Sequence, residues 1–325
     1  MEFPAELRSA IEEIAAQGGR EKLLRDAQEL SRRYREEGGA GRRLLTTEAQ
    51  AAAYAAARMP ATFGAVSAAM EYTAQILPDF SPSSLLDVGA GTGAASWAAE
   101  GVFHPRTVTC LEREAGMRAI GRRLMEAGPP PLQAARWEAG DLLASPLPGK
   151  AALVTASYVL NELPEQARAG AVARLWEAAE GVLLLVEPGT PAGFAVLKAA
   201  REQLLEAGAR IAAPCPHNGP CPVTGGDWCH FSRRVARSRL HRQLKGGEAP
   251  YEDERFAYLA CCRPGLLPGE AGGGRVLRHP RVEKGRITLT LCTAEGIETR
   301  VAAKRDAAFF RQARGAKCGD RLELE

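Results

Sequence analysis

The sequence predicts an α/β protein: a doubly wound parallel sheet, an N-terminal helical cap, and a cysteine-rich and β extension toward the C-terminus. Three observations carry this prediction. Short apolar strands alternate with helical segments across residues 76–200. The first of those strands, SLLDV, runs straight into a glycine turn. Beyond about residue 210 that alternation stops, and Pro, Gly and Cys dominate before Arg takes over.

Residues 1–75 read as the helical cap, with three or four helices. PAELRSAIEEIAAQ and REKLLRDAQELSRRYREE place apolar residues at helical spacing among many charges. GGAG at 38–41 breaks that pattern, and the alanine-rich TEAQAAAYAAARM runs up to Pro60. Residues 76–210 form the nucleotide-binding domain. In it SLLDV, TVTCLERE, AALVTASYVLNEL and GVLLLVEPG read as strands. ASWAAEGVF, GMRAIGRRLMEAG, QARAGAVARLWEAA and FAVLKAAREQLLEAGA read as the helices between and after them. Residues 211–250 hold a Pro/Gly/Cys loop and then an arginine-rich segment. Residues 251–325 open with RFAYLACCR, a strand expected to complete the sheet. After the linker GLLPGEAGGGR, RITLTLCTAEGIETRVAAK reads as a β-hairpin, with β-formers on both sides of AEG. No internal repeat is visible.

The 325 residues suffice for about two domains. Hydrophobic residues make up 46% and charged residues 25%, the balance of a water-soluble globular protein. No apolar run is long enough to span a bilayer, so no membrane partner is expected. The start lacks the basic head and apolar middle of a signal peptide, which leads to the expectation of a cytoplasmic protein. Eight cysteines in a reducing compartment point to metal ligation more than to disulfides. Residues 1–200 carry 20 basic and 24 acidic side chains, whereas residues 201–325 carry 22 and 15. The C-terminal part is therefore the better candidate for meeting a polyanion.

The turn Asp87-Val-Gly-Ala-Gly-Thr-Gly93 lies between a strand and a helix. Gly89, Gly91 and Gly93 allow a sharp turn and close approach of a ligand to the backbone. The G-x-G-x-G spacing after an acid resembles the first motif of class I S-adenosylmethionine-dependent methyltransferases. That resemblance implies that Asp87 orients the ligand's amino-acid part, directly or through water. It also implies that Glu112 binds the ribose hydroxyls and that Asp141 contacts the adenine. A carboxylate such as Glu112 suits a diol because it accepts two hydrogen bonds. Competing readings are a strand-to-helix turn with no ligand and a nicotinamide site. Asn161 and Glu162, in SYVLNELP, are candidate catalytic residues; a helix cap and a surface acid account for them equally well. Neither the N-P-P-Y loop of base amino-group methyltransferases nor a Pro-Cys nucleophile is present.

Cys215, Cys221 and Cys229 lie in PCPHNGPCPVTGGDWCHF at C-x5-C and C-x7-C spacing. That is neither a zinc-ribbon pair nor the C-x3-C-x2-C triplet of radical enzymes. A closed site needs a fourth ligand, for which His217, His230, Cys261, Cys262 and Cys292 are candidates. Four thiolates would suit an iron–sulfur cluster, and a mixed Cys/His set would suit zinc. Unlinked thiols are the competing reading, weakened because such a loop has few apolar residues to hold it folded.

Arg233, Arg234, Arg237, Arg239, Arg242 and Lys245 follow at once, with no acid between His230 and Gly247. Arginine's planar fork suits phosphate oxygens, so RNA or DNA backbone is the expected partner. The competing reading is a solvated helix whose cations pair with the acids of YEDER. Leu240 and Leu244, four apart, are expected to face the core. Arg275, Arg278, Arg281, Lys284 and Arg286 would extend the basic surface.

C-P-H-x3-C-P-x5-W-C-H-F followed by arginines resembles the small-ribosomal-subunit methyltransferase-like assembly factors, a family that includes mitochondrial methyltransferase-like protein seventeen and its bacterial relatives. The resemblance also takes in AAYAAARMPATFGAV, LLDVGAGTG, SYVLNEL, RFAYLACCR and TLCTAEG. It implies S-adenosylmethionine as cofactor and a 4Fe–4S cluster held by Cys215, Cys221, Cys229 and Cys292. Zinc remains the alternative, and the residues alone do not choose Cys292 over Cys261 or Cys262. Cys318 stands where the family pattern expects a tryptophan. The resemblance further implies partnership with the small ribosomal subunit or its rRNA, as a monomer off the ribosome. A non-catalytic RNA-binding platform and a small-molecule methyltransferase are the alternative functions.

Overall fold

The computed structural model describes residues 1–36, 47–267, 269–270 and 272–324. The GGAG break at 38–41 lies outside them. Four helices form the cap: α1 (Ala5–Gln17), α2 (Arg20–Glu36), α3 (Glu48–Ala57) and α4 (Met59–Ile76). Thr47 starts α3 by accepting a hydrogen bond from Gln50 N. The fold continues with β1 (Ser84–Val88), α5 (Ala94–Phe103), β2 (Thr107–Glu112), α6 (Ala115–Met125), α7 (Pro130–Gln133), β3 (Arg136–Ala139) and β4 (Ala151–Ser157). After a 3₁₀ turn at Leu160–Glu162 come α8 (Glu165–Ala178), β5 (Ala179–Pro188), α9 (Pro191–Glu206), β6 (Arg210–Ala213), β7 (Phe231–Ala236), α10 (Arg239–Lys245) and β8 (Tyr251–Cys262). The chain ends in β9 (Gly274–Val276), β10 (Arg281–Glu283), β11 (Arg286–Thr293), β12 (Gly296–Ala303), α11 (Ala307–Gly315) and β13 (Arg321–Leu322).

The main sheet has the order β3-β2-β1-β4-β5-β8-β6, with β7 also paired to β8. Strands β3, β2, β1, β4 and β5 are parallel, and β8 runs antiparallel to β5. This is the doubly wound sheet of the class I methyltransferase fold. Alternation along β5 feeds two cores. Val182, Leu184 and Val186 face the layer that holds Met59, Phe63 and Met70 of the cap. Leu183 and Leu185 face Leu175 and Trp176 of α8 and Leu197 of α9.

The boundary expected at residue 210 falls inside β6, and the arginine-rich segment is not one helix. Its first half is β7, a strand of the main sheet, and its second half is α10. Leu244 is buried, and Leu240 packs against the core. Strands β6 and β7 share one edge of β8: Arg210–Ala213 pair with Cys262–Ala260, and Phe231–Ala236 with Phe256–Tyr251. The cysteine loop bridges these two strands. The hairpin expected around AEG is β11–β12, paired from Arg286↔Ala303 to Thr293↔Gly296. It belongs to a larger five-stranded sheet with its own core, Ile287, Leu289, Leu291 and Val276 against Ala313 of α11.

Candidate functional site

The glycine turn leaves β1 and enters α5. Gly89 has φ +69°, and a Cβ there would stand 2.5 Å from a Val159 methyl, so both backbone and space require glycine. Gly91 has φ +57° and open space where a Cβ would stand. Both line a cavity at the C-terminal ends of β1, β2 and β4, together with Glu112, Asp141 and Glu162. Gly93 is not on its wall; with φ +88° it is the residue from which α5 starts. Ligands of open α/β sheets sit at this end of the strands.

Glu112 holds the turn as well as lining the cavity. Its carboxylate accepts Gly91 N at 2.8 Å and Glu114 N at 2.7 Å. Each oxygen keeps a second lone pair for a ligand hydroxyl. Burial raises its pKa, and the two backbone donors oppose that shift. Asp141 accepts Leu143 N at 2.8 Å, and its other oxygen lies 3.4 Å from Arg113. Glu162 is pushed up to about 7, mainly by burial, with Arg113 pulling down and Glu112 pushing up.

Two expectations are corrected here. Asp87 does not reach the cavity. It is 1% exposed, and it accepts the Ser96 hydroxyl at 2.8 Å and the Thr155 hydroxyl at 3.0 Å. Its carboxylate braces the turn from behind, and burial pushes its pKa up to about 6. Asn161 does not line the cavity, although its neighbour Glu162 does.

Four cavity features have no local sequence signal. Tyr54 reaches the wall from α3 of the cap. Ser157 is a wall residue, and its hydroxyl is buried without a hydrogen-bond partner among the described residues. Tyr158 adopts φ +61°, unusual for a non-glycine residue. It is held there by its N–H on Val186 O (2.7 Å) and its hydroxyl on Glu254 (3.1 Å). Behind it Glu187, fully buried at the end of β5, accepts Leu160 N at 2.8 Å. Its second oxygen is buried without a partner among the described residues, and burial pushes its pKa up to about 8. An unpartnered hydroxyl and an open glycine wall beside a carboxylate fit a ligand with amino-acid and ribose groups, as S-adenosylmethionine has.

Cys215, Cys221, Cys229 and Cys292 all line one small apolar cavity at the edge of the main sheet. Cys261 and Cys262 do not; they lie at the C-terminal end of β8, in the two cores. His217 is buried, with Nε2 3.8 Å from Cys292 Sγ and Nδ1 unpartnered among the described residues. Burial raises the Cys215 and Cys229 thiols and pushes Cys292 up to about 12, with neighbouring thiols adding to the rise for Cys229 and Cys292. Among the described residues no three His, Cys, Asp or Glu side chains converge as a ready-made metal site. The chemistry of the donor set, four cysteines on one apolar wall, nonetheless suits a thiolate-held group.

Side chains from other elements also hold the loop, a contribution its own composition does not reveal. Arg201 of α9, 3% exposed, donates to His217 O at 3.2 Å and Gly219 O at 2.5 Å. Lys198 donates to Val223 O at 3.0 Å. Arg275 of β9, 2% exposed, donates to Pro214 O at 2.8 Å and Gly319 O at 2.7 Å. Buried cations thus meet the loop's carbonyls where apolar residues are few.

The basic segment is largely neutralised. Arg233 pairs with Glu71 at 3.2 Å and Arg234 with Asp253 at 2.8 Å. Arg237 and Lys245 share Glu252, at 2.7 and 3.0 Å. Two of those acids belong to YEDER, the pairing foreseen as the competing reading. Arg239 and Arg242 stay outside these pairs. No helix among the described residues is long and apolar enough to cross a membrane.

Human mitochondrial ribosome assembly protein METTL17 is 29% identical over 301 residues, covering 86% of this chain and 64% of its own. A fission-yeast mitochondrial Rsm22-cox11 tandem protein is 29% identical over 333 residues, covering 86% of this chain and 44% of its own. The chain thus spans less than two thirds of either relative. Among solved structures, magnesium protoporphyrin IX methyltransferase from Synechocystis with bound S-adenosylmethionine matches at TM-score 0.40 and 16% identity, covering 71% of this chain and 89% of its own. The N-methyltransferase NodS from Bradyrhizobium japonicum matches at 0.40 and 12%, covering 60% and 85%. The model of the family described as mitochondrial small ribosomal subunit Rsm22 matches residues 48–323, from α3 through β13, and the chain belongs to that family.

Proposed function

We propose that this chain is an S-adenosylmethionine-binding assembly factor of the small ribosomal subunit that acts on its rRNA. The observation that carries the reading is the cavity bounded by Gly89, Gly91, Glu112 and the unpartnered Ser157, in a chain of the Rsm22 family. The Gly89–Gly91 backbone and Ser157 would hold the amino-acid end of the ligand, Glu112 the ribose hydroxyls and Asp141 the adenine end. The bound cofactor supplies an electrophilic methyl group. Glu162, a wall carboxylate that burial pushes up to about 7, would accept a proton from a nucleophile.

Cys215, Cys221, Cys229 and Cys292 would hold a 4Fe–4S cluster, for which zinc is the alternative. Three of these cysteines come from the loop and the fourth from β11, so such a group would join the loop to the second sheet. Its role in this reading is structural.

Titration calorimetry with S-adenosylmethionine and S-adenosylhomocysteine tests the cavity, and co-sedimentation with small ribosomal subunits tests the partner. Saturable one-site binding that Glu112→Ala weakens at least tenfold is expected. A protein that binds neither ligand nor subunit overturns the reading. Radiolabelled methyl transfer to immature rRNA separates an enzyme from a platform. Anaerobic purification with metal analysis is expected to yield about four irons and four sulfides per chain; one zinc would establish the alternative.

A further inference from the structure

Binding a polyanion gains from positive charge that the protein has not already neutralised. In the 233–245 segment a phosphate would have to displace Glu71, Glu252 or Asp253 from four of the six cations, leaving only Arg239 and Arg242 outside those pairs. The opposite situation holds at one end of the second sheet. Lys284 sits in the β10–β11 turn, and Lys304 and Arg305 follow β12. The Lys304 N–H donates to Gly285 O at 3.2 Å, which brings the two segments together. All three side chains are exposed, and none has an ion pair or side-chain hydrogen bond among the described residues. Arg281 and Arg286 stand beside them and share a single acid, Glu283, at 3.1 and 3.5 Å. The other nearby acid, Asp306, caps α11 by accepting Phe309 N at 3.2 Å.

We propose that this end of the second sheet, built on Lys284, Arg286, Lys304 and Arg305, is the surface that contacts RNA phosphates, in place of the 233–245 segment. The proposal rests on the rRNA reading above and names its interface. The adjoining solvent face of β11 and β12 carries Thr288, Thr290 and Thr299, opposite in register to the buried Ile287, Leu289 and Leu291. These hydroxyls extend the row of donors available to phosphate and sugar oxygens. No aromatic residue occurs in β11 or β12, so base stacking has no platform there. The binding is therefore salt-sensitive and nearly independent of sequence.

The test is fluorescence anisotropy of a labelled single-stranded RNA of mixed sequence, titrated with the full chain over a range of salt. Three proteins are compared: the parent, Lys284→Glu/Lys304→Glu/Arg305→Glu, and Arg234→Glu/Arg239→Glu/Arg242→Glu. The first triple is expected to weaken binding at least tenfold and to flatten the slope of log affinity against log salt by about 2, for three lost phosphate contacts on a single strand. The second triple is expected to stay within about threefold of the parent, on the order of thermal energy. The neutral variant Lys284→Gln/Lys304→Gln/Arg305→Gln is expected to flatten the slope to the same degree, with a smaller loss of affinity. Thermal melts of the variants should match the parent, because the side chains are exposed and unpaired. A parent that binds RNA while the first triple binds equally well overturns this surface and leaves the rRNA reading standing. Equal losses in both triples overturn it too, as general electrostatics. A parent that binds no RNA at low salt overturns both.

Discussion

Glu187 is a carboxyl group buried away from the protein surface. One oxygen accepts Leu160 N, the other has no partner among the described residues, and burial pushes its pKa up to about 8. The unfolded chain ionises the same group near its ordinary value of 4.5. Between those values the unfolded state releases a proton that the folded state keeps, so stability falls as pH rises from about 4.5 and levels off above about 8. Glu187→Gln keeps the acceptor for Leu160 and removes the titration. Urea unfolding should show the variant gaining on the parent between pH 5 and pH 8.5, by an amount on the order of a few kcal/mol. Glu162 and Asp87, also raised by burial, leave a smaller slope of the same sign. Asp87→Ala should cost about 1–3 kcal/mol, since it strands the buried Ser96 and Thr155 hydroxyls; Asp87→Asn should cost less, and denaturant midpoints measure both. At this scale the glycine turn and Glu112 were legible because one strand end and one turn determine them. Asp87 was recognised but its direction was not, because Ser96 and Thr155 come from α5 and β4. Tyr54, Ser157, Tyr158 and Glu187 were not legible at all, since burial and neighbours from other elements make them what they are.

The cysteine loop shows how elements earn their order. It leaves β6 and returns as β7, two strands against the same edge of β8, so its ends are fixed by backbone pairing. Its middle is fixed by Arg201 and Arg275, one from α9 and one from β9. Arg275→Met should therefore loosen the loop and the second sheet together. Limited proteolysis should cut within residues 214–230 at least tenfold faster than in the parent, while the main sheet stays protected. The long strand β8 and the β11–β12 hairpin could be read from their β-forming residues. The short strands β3, β6 and β7 could not, because four to six residues carry little periodicity, and half of those of β7 are polar. Pairing with a long neighbour made them strands. Likewise Cys292 could not be chosen over Cys261 and Cys262 from residues alone. The structure places only Cys292 of these three on the cavity wall, because β8 buries the other two in the cores.

At the scale of the whole molecule the expected fold class and family hold. The family resemblance drawn from the cysteine loop and glycine turn agrees with the Rsm22 match over residues 48–323. That match begins in α3, and α3 is also where the cap supplies Tyr54 to the cavity. Part of the wall thus belongs to a helix outside the sheet. Ligand occupancy and the docking of that helix are then linked equilibria: whatever the ligand gains from Tyr54 is available only while α3 is seated. A saturating ligand should slow amide hydrogen exchange in α3 as well as in the glycine turn. By the same linkage, substitutions that loosen α3, such as a proline at Ala53, should lower affinity at a site they do not touch. The helical cap would then act as a reporter, converting the filling of a small cavity into the order of a much larger surface.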